Sequence, residues 1–318
     1  MNKGLDERNF TKMNVTLSII IVSWNTRELL ADCLSSVFTQ PPTVSYEVWV
    51  VDNASADGSA EMVRDKFPQA RLLENIVNVG FAQANNQAIA QCGGKYVLLL
   101  NPDTVVLPDA LDALVFFLDA RPEAAAAGSR LLNPDGTLQL SCHPSPTLLR
   151  EWWRLMHLDV VRPYGRYAMH TWDTNLARDV DVLQGASLLL RKSVLDQIGF
   201  MDGDYFMYSE EVDLCYRIQR AGWRLYWVPQ SQVIHYGGQS TKQIAGEMFL
   251  QLYLGKLKYL RKHNGRYAGR IYKIILLKAA LIRLALTPLL WFKKPNERQQ
   301  GLTLARHYWR LLTAVPEM

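Results

Sequence analysis

The sequence has little cysteine and lacks the glycine signatures of the common nucleotide-binding folds. Its four cysteines, Cys33, Cys92, Cys142 and Cys215, stand far apart in 318 residues with no C-x-x-C pair. Scattered thiols of this kind are expected to be small apolar residues in a reduced compartment, which excludes a disulfide scaffold or a zinc framework. No G-x-G-x-x-G follows the first apolar run, where the chain reads SWNTREL, and no G-x-x-x-x-G-K-[ST] occurs. The usual dinucleotide-binding dehydrogenases and P-loop enzymes are thereby excluded. Residues 1–14 are polar and mixed in charge, and the apolar run at 17–22 is too short for a signal peptide or a membrane span. A cytoplasmic location is the expectation. There is no internal repeat or low-complexity segment.

What is present is a folded composition, 49% hydrophobic and 20% charged, long enough for one large α/β domain or two smaller ones. The net charge of +5 is unevenly spread: residues 242–318 hold 15 Lys/Arg against 3 Asp/Glu, leaving 1–241 at −7. An acidic body with a basic tail calls for an anionic partner at the tail.

The stretch KYVLLLNPDT at 95–104 organises the rest. Five apolar or aromatic residues in a row fit a strand buried on both faces. Pro102 stops it, so Asp103 falls just past the C-terminal edge, where open α/β sheets bind ligands. There it either caps the next turn or ligates a divalent cation that arrives with phosphates. Strands are also expected at 15–23, 46–51, 70–73, 122–132, 182–191, 223–228 and 231–235. Helices are expected at about 25–38 (with a capping box from Asn25 to Glu28), 60–67, 81–91, from about 108, and from about 210. This alternation predicts a doubly wound α/β sheet.

The strand ends carry Trp24/Asn25, Asp52/Asn53 and Asp103. Singly, each residue type is more often structural. Together on one edge, an aromatic can stack on a base, one carboxylate can accept a pyrimidine N–H and the other can hold a metal. Ser209 is a candidate N-cap placing Glu210 and Glu211 in the first turn of a helix. Its dipole favours their ionised form, as a general base requires. Residues 142–181 show no clear period; such a segment is either functional or mobile.

These pieces, VSWN (22–25), VDNASADGS (51–59), NVGFAQANN (78–86), NPDT (101–104), QGASLLLR (184–191), GFMDGDYFMYSEEVDLCYR (199–217) and HYGGQS (235–240), resemble in their order the inverting family-2 glycosyltransferases, and within them the bacterial rhamnosyltransferase-like members. The resemblance covers roughly residues 16–241. It implies a GT-A fold, a mixed sheet flanked by helices, with a nucleotide-sugar half at 16–132 and an acceptor half at 133–241. It implies a nucleotide-diphosphate sugar donor, dTDP-rhamnose by analogy, and a glycan or lipid-linked acceptor. Asp103 matches the last carboxylate of the family's D-x-D, and His235 matches a histidine that completes the metal shell in some relatives. The ion is then Mg²⁺ or Mn²⁺. Asp52 matches the carboxylate that reads the base, and Trp24 stands at the usual Tyr. Ser23, Asn25, Asn53, Asn78, Gly80, Asn86, Asn101 and Gly185 are the further donor-side positions implied, and Glu211, with Glu210, the catalytic pair.

Three departures stand out: Asn101 replaces the first Asp of D-x-D, Glu210-Glu211 replaces the usual Glu-Asp, and Asn85 stands where many relatives have Arg. The first two leave an inactive scaffold open as an alternative. A sugar nucleotidyltransferase would need a Gly- and Arg-rich loop after the first strand, and SWNTREL is not one.

The tail sets basic residues among Tyr and Leu up to Arg270, then turns apolar over 271–292 but for Lys273, Lys278 and Arg283. Three cations and Pro288 count against a spanning helix. The expectation is a basic helical extension on the inner face of the membrane, with a helical pair packed on the catalytic domain as the other reading. No nucleic-acid-reading module is present.

Overall fold

The computed structural model describes residues 15–239, 243–292 and 294–315. The N-terminal stretch 1–14 and Ser240 of the HYGGQS motif lie outside the described residues. The strands, in chain order, are β1 Leu17–Ser23, β2 Tyr46–Asp52, β3 Arg71–Glu74, β4 Tyr96–Leu100, β5 Thr104–Val106 and β6 Ala124–Leu132. After these come β7 Cys142–His143, β8 Arg178–Asp179, β9 Val182–Leu183, β10 Ser187–Arg191 and β11 Arg224–His235. The helices are α1 Arg27–Thr39, α2 Ser59–Lys66, α3 Phe81–Ile89, α4 Ala110–Asp119, α5 Leu148–Leu155, α6 Lys192–Ile198, α7 Glu210–Arg220, α8 Ala245–Ala285 and α9 Pro295–Ala314.

β1 and β4 are buried along their whole length, as unbroken apolar runs demand. Their side chains divide between two cores by the two-residue period of a strand. Ile19, Ile21, Leu98 and Leu100 face Leu34 of α1, Val63 of α2 and Leu114 of α4. Ile20, Val22, Val97 and Leu99 face Ala84 of α3 and Cys215 of α7. The main sheet runs β3-β2-β1-β4-β10-β6-β11-β5, with β8 added beside β11. The first four strands are parallel, β10 is antiparallel to β4 and β6, and β5 is antiparallel to β11.

This order fixes the site. Parallel β2, β1 and β4 end on one edge, so Asp52, Trp24 and Asn101 emerge together. β10 runs against β4 with Ser187 opposite Leu100, so Gly185 starts from that edge. β11 runs against β5 with His235 opposite Thr104, which seats the histidine beside Asp103.

Three local expectations are corrected. The Asn25–Glu28 capping box does not form: Thr26 is the N-cap, without a side-chain bond, and Asn25 is left-handed at φ 51. The loop at 53–59 takes over that end, Asp57 Oδ2 accepting the Arg27 N–H at 2.8 Å and Asn25 Oδ1 the Ala56 N–H at 2.8 Å. The strand expected at 182–191 is two pieces, β9 and β10, parted at Gln184–Ala186 where the cavity opens. The strands at 223–228 and 231–235 are one, β11, with an irregularity between Val228 and Gln232.

The tail packs on the domain. Leu257, Leu260, Tyr272, Leu276 and Ala280 of α8 and Leu311 of α9 are buried in the same core as α3 and α7. Each large apolar side chain so buried contributes roughly 1.5–3 kcal/mol. Lys256 is buried against Glu151 of α5 at 3.0 Å, and Arg154 holds the same carboxylate at 2.8 Å. Arg283, an obstacle to a spanning helix, donates to the carbonyl of Leu155 and lies over the Tyr308 ring. No described helix is long and apolar enough to cross a membrane. Within the aperiodic stretch at 142–181, α5 packs on α8 through Glu151, which takes Lys256 and Tyr272.

Candidate active site

Asp103 and His235 form one wall of a cavity of about 190 Å³ at the sheet edge. Both are almost fully buried, and His235 Nε2 stands 3.3 Å from Asp103 Oδ1. The imidazole tautomer follows from its other partner. Gln139 donates through Nε2 to the carbonyl of His235 and to Asn133 Oδ1, both at 3.0 Å, which turns its Oε1 toward His235 Nδ1 at 2.6 Å. Nδ1 therefore carries the proton and donates it to Gln139. In the neutral ring Nε2 is then a buried lone pair, and it has no hydrogen-bond partner. Two acceptors, Nε2 and a carboxylate oxygen, thus face each other in a buried place, which suits a cation between them. Among the described residues no group of three or more His, Cys, Asp or Glu gathers for a metal, so this pair would leave the remaining positions to a ligand's oxygens.

Glu210 and Glu211 form a second wall of the same cavity, at the start of α7. Glu210 is buried; Glu211 is half-buried by its surface as a whole, yet Oε2 of both residues is shut from solvent without a hydrogen-bond partner. Burial raises Glu210 well above the ordinary glutamate range, and the Glu211 charge adds to it. Burial raises Glu211 too, against the backbone N–H groups at the helix start. The expectation that the helix dipole keeps both ionised is corrected: desolvation outweighs it. Of the two, Glu210 is raised the more, because the Glu211 charge adds to its burial.

The expected donor residues divide. Trp24, Asn53, Asn78, Asn101 and Gly185 line the cavity. Asp52 does not line it; its Oδ2 accepts the Ser55 N–H at 3.0 Å and its Oδ1 is buried without a partner. Asn53 donates to Asn78 Oδ1 at 2.8 Å, tying the ends of two loops. At Gly185 a Cβ would project between Glu211 and Phe81 at 3.8 Å from each, so the glycine keeps space open. Ser23, Asn25, Gly80 and Asn86 do not line the cavity. Ser23 is fully buried on Thr26 Oγ1 at 3.0 Å, and Asn25 holds the 53–59 loop. Asn86 bonds the Met201 backbone through both ends of its amide, at 2.7 and 3.1 Å. Gly80 has φ 84, and a Cβ there would lie 2.5 Å from the Phe206 carbonyl.

Residues 18–199 match the family described as Glycosyl transferase family 2. The chain belongs to that family. It is 32% identical over 250 residues, 72% of its length and 78% of the relative's, to the N-acetylglucosaminyl-diphospho-decaprenol L-rhamnosyltransferase of Mycobacterium tuberculosis. Among solved structures it resembles the mannosyltransferase PcManGT from Pyrobaculum calidifontis in complex with GDP-Man and Mn²⁺. That match has a TM-score of 0.56 at 18% identity and covers 95% of this chain and 84% of that one. It also resembles GalNAc-T7 with UDP, GalNAc and Mn²⁺, at TM-score 0.54 and 16% identity, over 72% of this chain and 44% of the other. These likenesses show the GT-A fold.

In this family-2 glycosyltransferase several residues of the site escaped the sequence reading. Gln139 lies in a stretch that offered no motif. Phe206, Met207 and Tyr208 cross the cavity on a loop seated by Asn86, Gly80 and Gln83, the last donating to the Gly203 carbonyl at 2.9 Å. Tyr208 and Ser209 are consecutive left-handed residues, φ 69 and 71, immediately before Glu210. The tail braces that turn: a Cβ on Gly255 of α8 would meet the Tyr208 carbonyl at 2.5 Å. Ile244 and Met248 bring the tail into the cavity lining itself.

Proposed function

We propose that this glycosyltransferase works by inversion, moving a sugar from a nucleotide-diphosphate donor to an acceptor hydroxyl. What supports it is one cavity lined both by a cation-seeking pair, Asp103 and His235, and by a desolvated carboxylate pair, Glu210 and Glu211. The donor occupies the strand-end side, 16–132, with Trp24 stacked on the base and the orphaned Oδ1 of Asp52 accepting its N–H. Asn53, Asn78 and Asn101 face the sugar and diphosphate, and the acceptor enters through elements from 133–241. Glu211 takes the acceptor hydroxyl proton through Oε2. The freed oxygen bonds to the anomeric carbon from the face opposite the diphosphate as that C–O bond breaks through an oxocarbenium-like state. Glu210, protonated, stays neutral beside the anion. Mg²⁺ or Mn²⁺ held by Asp103 and His235 would neutralise charge on the departing diphosphate.

Within this reading the donor is dTDP-rhamnose and the acceptor a lipid-linked glycan, by likeness to the mycobacterial relative. The protein works on the cytoplasmic face of a membrane, which meets the outer face of α8 and the short helical turn at 287–292. Tyr267, Ile271, Ile274, Ile282 and Trp291 are exposed there, next to Arg266, Arg270 and Lys278. Release of free nucleotide from a panel of nucleotide sugars, with and without chelator, tests the donor and the metal. Metal-dependent release from dTDP-rhamnose is expected. Release from another sugar nucleotide alone would move the donor assignment, and release indifferent to chelator would overturn the metal's role.

A further inference from the structure

Beside the catalytic cavity lies a second and larger groove, about 970 Å³, and Phe206 and Met207 belong to the walls of both. Its far side is cationic: Lys258, Arg261, Lys262, Arg266 and Arg270 line it, against the carboxylates of Asp202 and Asp204. The break in α8 makes this possible. Gly265 leaves helical geometry at φ 87 and ψ 169, so cations from the two halves of α8 share one groove. Gly269 on the second half leaves no room for a Cβ beside the Arg261 side chain on the first.

The carboxylates present are already engaged. Asp204 takes Lys258 at 3.0 Å, and Asp202 and the buried Asp213 share Lys262 at 2.8 and 2.7 Å. Arg266 and Arg270 are exposed, and among the described residues no ion pair takes them up. They stand at i, i+4, where like charges repel each other along a helix unless an anion bridges them. Arginine forks match phosphate oxygens in pairs. Further along the second half of α8 the exposed surface becomes apolar. Ile271, Ile274 and Ile282 of α8 form a groove of about 320 Å³ with Trp152 and Met156 from the α5 region. The catalytic cavity and the cationic groove adjoin at Phe206 and Met207, and Ile271 of the apolar groove follows Arg270 of the cationic one in the chain.

We propose that the cationic groove binds the diphosphate of a prenyl-diphosphate-linked sugar acceptor. The acceptor sugar reaches past Phe206 and Met207 toward Glu211, and the first prenyl units lie along Ile271 and Ile274. This rests on the glycosyl-transfer reading above and names where its acceptor is held. Arg266 and Arg270 touch no reacting atom; they set acceptor affinity and leave donor handling alone.

The test uses the full chain and the double variant R266E/R270E. Binding of farnesyl diphosphate is followed by calorimetry in chelator, so that it does not run through Asp103 and His235. Wild type is expected to bind, and the variant at least tenfold more weakly, about 1.4 kcal/mol. Transfer is then measured to a sugar on a prenyl diphosphate and to the same sugar on an octyl chain without phosphate. The variant should raise KM for the first at least tenfold, leaving KM for the second, kcat and donor hydrolysis unchanged. Equal effects on both acceptors, or unchanged farnesyl diphosphate binding, would overturn the proposal. So would a variant that loses only its retention on phosphatidylglycerol vesicles, since the cations would then serve lipid headgroups. A wild type that binds farnesyl diphosphate through these arginines but transfers to no acceptor sinks the transfer reading and not the groove.

Discussion

The two walls of the cavity are built on opposite principles. Asp103 and His235 are held by the ladder between β5 and β11 and by Gln139, which fixes the imidazole tautomer. Glu210 and Glu211 have no such support: their inner oxygens are buried without partners, at the end of a turn with two left-handed residues. Stable proteins leave few polar atoms in that state. On the function proposed above, the metal-facing wall is complete in itself apart from a cation. On the same proposal the carboxylate wall is complete only when an acceptor hydroxyl supplies the missing hydrogen bond, and backbone strain concentrated there is of the kind found at working sites.

The sharpest break between the walls is within the carboxylate pair. Glu211→Gln should lower kcat by about 10²–10⁴-fold, the worth of a positioned base, with KM for the donor unchanged. Glu210→Gln replaces a carboxyl that burial and the Glu211 charge push toward its neutral form, and should lower kcat far less. Equal losses from the two substitutions, read by single-turnover transfer, would remove the assignment of Glu211 as base.

On the metal-facing wall the corresponding test is Gln139→Leu. Without its Oε1, Nδ1–H of His235 loses its acceptor and the ring loses its orientation. Partners of this kind are worth about 10–100-fold in metal affinity. Titration of Mn²⁺ by its paramagnetic signal, in the absence of donor, should show that weakening. An unchanged affinity would mean that His235 does not ligate.

The difference between the walls also explains what could be read from the sequence. The sheet and the edge residues Trp24, Asn53, Asn101 and Asp103 were legible because buried parallel strands are continuous apolar runs and their ends are marked by polar turns. Glu210 and Glu211 were legible as a pair at a helix start, but their protonation was not, since burial is set by Phe206, Tyr208 and a helix some 40 residues on in the chain. Asn25 looked like a cap because Glu28 follows at the right spacing. Asp57, from another loop, serves that helix end instead. The tail was the least legible. Its cations spread around a helix as sequence, yet Lys256 and Arg283 point inward to Glu151 and the Leu155 carbonyl, whereas Arg266 and Arg270 point out. Only the fold separates buried from free charge.

Because α8 presses on the turn before Glu210, the carboxylate wall should respond to the tail and the metal-facing wall should not. Gly255→Ala drives a methyl against the Tyr208 carbonyl, an overpacking worth about 1–3 kcal/mol. A lower Tm and a reduced kcat, with Mn²⁺ affinity intact, are expected. A fall in Mn²⁺ affinity as large as the fall in kcat would show that the walls are not separately supported.

The smallest effect is on stability against pH, and its sign follows from burial. The raised Glu210 carboxyl binds its proton more tightly folded than unfolded. Between the unfolded value, about 4.3, and the raised folded value, the native state holds the extra proton, so stability falls as pH rises through that window. The slope for one such group is at most about 1.4 kcal/mol per pH unit. Glu210→Gln removes the titration, so its Tm should decline less steeply than wild type above pH 5 and gain on it toward pH 8. Parallel Tm curves for the two proteins would mean that Glu210 ionises in the fold as it does in water, and the distinction between the two glutamates would be lost.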